Sequence, residues 1–189
     1  MGGQDSRQQL VAGAADMLRR RGLNATSIRE VAKHAGAPLG STYHYFPGGK
    51  DQLAAEAVRL SSDVVTRVLD KKLRQGPVEG VQAFFELWRQ VVAGNDFKAG
   101  CPVVAVAVEE TDHPEALKAS AEAFRAWSRQ LAGALEEHGV APQRAAQLAT
   151  LVIGATEGAV VMCRAQRSVE PLDDVAKELT ALLASAVRT

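Results

Sequence analysis

The chain is predicted to be all-α, with a three-helix N-terminal head followed by a larger helical body, about nine helices together. Three observations predict this. Apolar residues recur at three- and four-residue spacing along almost every long segment, and no stretch sustains the alternation of a half-buried strand. Glycine and proline punctuate the chain between those segments, with proline at several expected helix starts, where its missing N–H is not needed. The segment from Thr26 to Leu53, TSIREVAKHAGAPLGSTYHYFPGGKDQL, reads as two short helices joined by a tight turn and then a third.

In chain order, a first helix is expected over Asp5 to Arg21, with Leu10, Val11, Ala14, Met17 and Leu18 as its inner stripe. Gly22 ends it and Leu23 tucks back; Arg19, Arg20 and Arg21 lie in the last turn, where the helix dipole favours cations. Thr26 and Ser27 can cap the next helix with a hydroxyl, and Glu30 stands three residues after Ser27 as a capping-box partner. Ile28, Val31, Ala32 and Ala35 make its apolar stripe, while Arg29, Lys33 and His34 point elsewhere. Gly36 can take positive φ to end that helix, and Pro38 suits the first turn of the next, which runs from Leu39 to about Phe46. This short helix carries Ser41, Thr42, Tyr43, His44 and Tyr45, all able to reach phosphates or base edges. Pro47-Gly48-Gly49 breaks the chain, and Lys50 opens a long helix to about Arg74, stopped by Gly76-Pro77. Further helices are expected over Val78 to Ala93, Pro102 to Glu110, Pro114 to His138, Pro142 to Arg164 and Pro171 to Val187. The layout of residues 26–53 is that of a helix-turn-helix DNA reader.

Thr26, Ile28, Val31, Ala32, Ala35-Gly36, Gly40, Tyr43, Tyr45-Phe46, Lys50 and Leu53 resemble the N-terminal signature of the TetR family of bacterial transcriptional regulators. APLGSTYHYFPGGK, with Pro38 and the glycine pair, and Gly100-Cys101-Pro102 further resemble its LmrA/YxaF-type subgroup. The resemblance implies a DNA-binding domain over residues 1–49 and a ligand-binding and dimerisation domain over 50–189. By that analogy Ser41, Tyr43, His44 and Tyr45 touch bases or flanking phosphates, and Thr26, Ser27, Arg29 and Lys50 grip the backbone. Thr42 and Gly40 belong to the same reading helix. Leu39 departs from it, standing where a basic or polar residue is usual. The subgroup also implies control of a drug-efflux or detoxification gene.

The charge distribution agrees. Net charge is zero, which excludes a uniformly basic nucleic-acid binder, yet residues 1–60 carry eight Lys/Arg against five Asp/Glu. A basic head on an acidic remainder is what phosphate docking by one end needs.

In the body, aromatic residues concentrate on two helices. Phe84, Phe85, Leu87, Trp88 and Val91 fall on one, Phe124 and Trp127 on another. With Cys101, Val104, Val108 and Met162 they could wall an apolar cavity, for which Glu109, Arg125, Glu157 and Cys163 are candidate polar groups. Plain core packing would use the same aromatics. Gly154, Ala155, Gly158 and Ala159 form a small-residue face, which costs helix propensity and so asks for close helix approach. The resemblance implies a four-helix dimer interface from the last two helices, with Leu151, Ala155, Gly158, Val175, Leu179 and Leu182 among its contacts. Packing inside one chain is the alternative.

Other classes find less support. His34, His44, His113 and His138 lack metal-ligand spacing, and no serine or cysteine has a catalytic setting, so neither an enzyme nor a metal or cofactor site is expected. Glu109-Glu110 with His113 reads better as a solvated helix end than as an acid-base cluster. Two cysteines 62 positions apart make no disulfide framework, the N-terminus lacks an apolar signal region, and no uncharged apolar run reaches the roughly 18 residues of a membrane span. A cytoplasmic location is expected. The expected function is a ligand-responsive regulator, a repressor of a palindromic operator bound as a homodimer and released by a small apolar or aromatic effector. The alternative is a helical ligand-binding or scaffold protein without specific DNA binding.

Overall fold

The computed structural model describes residues 2–109 and 112–187; of residues 2–4 and Ser41 it describes the backbone only. The described residues form nine helices and no strand: α1 (Gly2–Arg21), α2 (Ile28–His34), α3 (Leu39–Tyr45), α4 (Gly49–Leu73), α5 (Pro77–Ala93), α6 (Pro102–Glu109), α7 (Pro114–Glu137), α8 (Pro142–Gln166) and α9 (Glu170–Val187). The expected boundaries hold to within three residues. Glu110, expected to close the sixth helix, lies outside the described residues.

The chain divides into two compact units, Met1–Asp63 with Cys101–Ala123, and Val64–Gly100 with Phe124–Thr189. In the first, α1 packs on α2, α3 and α6. Leu10, Val11, Ala14, Met17 and Leu18 are buried as the periodicity requires, together with Leu23, Val31, Phe46 and Leu53. Phe46, immediately after α3, is fully buried, and the Arg7 guanidinium lies 5.3 Å from its ring centroid. Arg7 also donates to the Glu56 carboxylate at 2.6 and 2.7 Å, tying α1 to α4. The Asp51 carboxylate accepts the N–H groups of Glu115 and Ala116 at 3.1 and 2.8 Å. It thereby satisfies the two N–H groups that follow Pro114, which itself has none, at the start of α7.

In the second unit, α8 packs on α9 and α5, and α5 on α9. Its centre is aromatic. Phe84, Trp88 and Trp127 are buried, with Phe84 edge-on to both tryptophans at 6.2 Å between centroids, and Trp127 edge-on to Phe124 at 5.6 Å. By length and composition α8 is the one described helix long and apolar enough to cross a membrane; its buried residues pack against the rest of this unit.

Candidate nucleic-acid interface

Sequence and geometry agree on how the two short helices are cut out of the chain. Ser27 caps α2 with extended backbone: its hydroxyl oxygen accepts the Glu30 N–H at 3.2 Å, and the Glu30 carboxylate accepts the Ser27 N–H at 3.3 Å. Gly36 adopts φ +64°, a conformation that carries no Cβ penalty in glycine, and turns the chain after α2. Pro38 differs from expectation. With ψ +134° it stands just before α3 as its cap rather than inside the first turn, and its carbonyl faces the Thr42 hydroxyl at 3.4 Å. A proline needs no partner for a missing N–H at either position, so sequence alone does not separate them.

The two helices present an outward row. Tyr43 is 58% exposed on α3, with His44 and Gly40 exposed beside it and Arg29 and Lys33 exposed on α2. Leu39, Tyr45 and Lys50 are half-buried, and the His44 and Tyr45 rings lie 5.5 Å apart. Ser27 is exposed, although its hydroxyl is engaged by Glu30 at 2.8 Å. The side chain of Ser41 lies outside the described residues.

Two expected contacts are corrected. Thr42 is fully buried, because it shares the inner face of α3 with Phe46 one turn on, so its hydroxyl is turned away from any groove. Thr26 is buried too, and its hydroxyl donates to the Gly22 carbonyl at 2.6 Å, closing the α1–α2 turn rather than facing a phosphate.

Electrostatics around this row come from charged side chains brought together by the fold. The Asp16 carboxylate accepts from Arg19 at 2.8 Å and Arg20 at 3.0 Å and stands 3.0 Å from the His34 ring nitrogen, linking α1 to α2. Burial works against its ionisation, but the hydrogen bonds and charges of Arg19 and Arg20 prevail and hold the carboxyl below its ordinary range. Burial lowers the Lys50 ammonium from its usual value, with the Glu109 charge acting the opposite way. Glu109 was expected as a pocket group or a solvated helix end. Instead it reaches the α1–α2 turn, where its carboxylate accepts the Asn24 N–H at 2.9 Å. Nothing in the local sequence signals that contact, which joins residues 85 positions apart.

The expected effector residues separate. Phe84, Trp88 and Trp127 are buried and Phe124 half-buried in the second unit, where the Trp88 indole N–H has no hydrogen-bond partner among the described residues. Cys101 is buried and Val104 half-buried in the first unit. Val108 and Met162 are 72% and 49% exposed, so neither walls an enclosed cavity. Glu157 and Cys163 are buried and Arg125 is exposed.

Of the expected dimer contacts, Leu151 and Gly158 are exposed and Ala155, Val175 and Leu182 half-buried. Leu179 is buried within the chain, on the inner stripe of α9 with Leu172 and Leu183. A Cβ added at Gly154 or Gly158 would meet nothing within 4 Å, so intramolecular packing does not account for these glycines.

Comparisons with known proteins agree with this geometry. The model of bacterial regulatory proteins of the tetR family matches residues 10–57, and the model of the LmrA/YxaF-like transcriptional regulator C-terminal domain matches residues 77–178. An uncharacterized HTH-type transcriptional regulator of Mycobacterium tuberculosis is 38% identical over 95% of both chains. The HTH-type transcriptional regulator YxaF of Bacillus subtilis is 30% identical, also over 95% of both. The crystal structure of a regulatory protein TetR from Rhodobacter sphaeroides superposes with a TM-score of 0.83 at 22% identity, covering 93% of this chain and 97% of that one, which shows the shared fold. The helix-turn-helix of α2 and α3 is thus the reading head of a DNA-binding domain, and the chain belongs to the TetR family of bacterial transcriptional regulators, in the branch with an LmrA/YxaF-like C-terminal domain.

Proposed function

We propose that the protein is a ligand-responsive repressor that binds a palindromic operator as a homodimer in the cytoplasm. The observation that carries this reading is the outward row of α3 and α2. Tyr43, His44, Arg29 and Lys33 stand exposed on helices whose inner faces are closed by a buried core, so the reading groups are held without depending on DNA for their placement. Tyr43 and His44 read base edges, and Arg29 and Lys50 hold phosphates.

One seven-residue helix covers few base pairs, so a second copy is needed for a site of useful length. The outer face of α8 supports that copy: Leu151, Gly154, Gly158 and Val161 leave an apolar strip with no side chains at its two glycines. A palindromic operator bound by two such heads has half-sites about 34–36 Å apart, or a multiple of that spacing. The aromatic cluster of Phe84, Trp88, Phe124 and Trp127 supports an aromatic effector, and the unpartnered Trp88 N–H favours one with a hydrogen-bond acceptor. Such a ligand releases DNA only by its difference in affinity between the DNA-competent and released forms.

Selection of duplexes from a randomised pool, followed by titration of the enriched site at several salt concentrations, tests the reading. An enriched palindrome bound by a dimer supports it. A folded, dimeric protein that enriches no sequence overturns it and leaves a helical ligand-binding protein.

A further inference from the structure

The turn between α2 and α3 is built as one piece with the end of α2. The Ala37 N–H donates to the Ala32 carbonyl at 2.9 Å and the Gly36 N–H to the Lys33 carbonyl at 3.3 Å, the paired bonds that close a helix through a left-handed glycine. Pro38 and α3 follow at once, so the end of α2 sets where the reading helix begins. Helix α1 holds that end at two places about one turn apart. At Gly13 the helices approach closely: a Cβ built there would stand 3.1 Å from the Ala35 Cβ and 3.6 Å from the His34 ring. At Asp16 the carboxylate lies 3.0 Å from His34 Nε2. Arg19 and Arg20 donate to the same carboxylate at 2.8 and 3.0 Å and favour its ionised form. An ionised carboxylate only accepts, so Nε2 carries the proton of this bond.

We propose that Asp16 is a positioning residue for sequence readout: through His34 it fixes the end of α2, and with it the placement of Tyr43 and His44 on α3. The proposal rests on the DNA-binding reading of the head and adds the residue that aims it. A base contact is lost when its angle is wrong, whereas long side chains on phosphates adapt, so a small shift of α3 weakens readout more than docking. The charge of Asp16 works the other way. An anion in a basic head opposes the phosphate backbone, so its removal does not weaken non-specific binding.

The test uses two fluorescein-labelled duplexes of equal length, one enriched from the randomised pool and one of arbitrary sequence, titrated by anisotropy at one fixed salt concentration. Preference is the ratio of the two affinities. D16A lowers it about tenfold, within what the loss of one base contact costs, while affinity for the arbitrary duplex does not fall. H34A lowers preference similarly, and D16A/H34A lowers it no further than either single change, because both remove one contact. H34Q, whose amide can donate to Asp16, recovers most of the preference that H34A loses. Wild-type preference in D16A, losses that add in the double variant, or an H34Q as poor as H34A overturns the proposal alone. A wild-type chain that enriches no duplex overturns the DNA-binding reading and the proposal with it. If D16A does not fold, H34A and H34Q, changed at an exposed residue, carry the same expectation.

Discussion

Replacing both Gly154 and Gly158 with alanine separates the stability of one chain from its association, because the two effects have opposite signs. Within the chain both positions are open: an added Cβ meets no atom within 4 Å. Each sits inside the 25-residue helix α8, where glycine is less favourable than alanine by about 1 kcal/mol. The isolated chain should therefore gain about 2 kcal/mol, a rise in Tm of about 4–8 °C for a chain of this size. If α8 pairs with a second copy through this strip, the glycines let the helices approach closely, and the new methyl groups overpack the interface by about 1–3 kcal/mol. The dimer dissociation constant should then rise about 5- to 140-fold, since about 1.4 kcal/mol is one decade. Sedimentation equilibrium over a range of loading concentrations measures association, and thermal unfolding below the dissociation constant measures the chain. A more stable variant that dimerises as tightly as wild type would refute the reasoning, because the strip would then be ordinary surface.

Three further outcomes are expected. Tyr43→Ala should lower operator affinity about 5- to 140-fold, as expected for loss of a base contact of about 1–3 kcal/mol, while Tm and dimerisation stay unchanged, since Tyr43 is 58% exposed; a variant that does not fold would count against its role. Trp127→Ala should destabilise by about 3–5 kcal/mol in urea unfolding, because the ring is fully buried against Phe84 and Phe124; a loss below 1 kcal/mol would mean an empty site stands beside it. Asp16 has a folded pKa lowered from its unfolded value of about 3.9, so its contribution is complete above that value and disappears as pH falls through the lower folded one. Solvent screening keeps it to about 0.5 kcal/mol, so Asp16→Asn should be slightly less stable than wild type at pH 7 and converge with it below about pH 4.

How far the sequence could be read depended on whether a feature was local. Ser27 with Glu30, Gly36 turning at positive φ and the prolines at the starts of α5 to α8 act within one turn of backbone, so their chemistry placed the helices almost to the residue. The inner stripe of α1 was equally legible, because a 3.6-residue period leaves only one apolar face. Thr26 and Thr42 turned inward because small, borderline residues at the edge of a face can turn either way, and the neighbouring helix settles which.

The all-α class, the order of the helices and the reading head follow from periodicity and capping, which are properties of consecutive residues. Contacts between distant segments follow from packing, which periodicity does not encode. Glu109 reaching the turn after α1, α6 joining the same compact unit as the head, and the bare glycines on the outer side of α8 each depend on which surfaces the folded chain brings together.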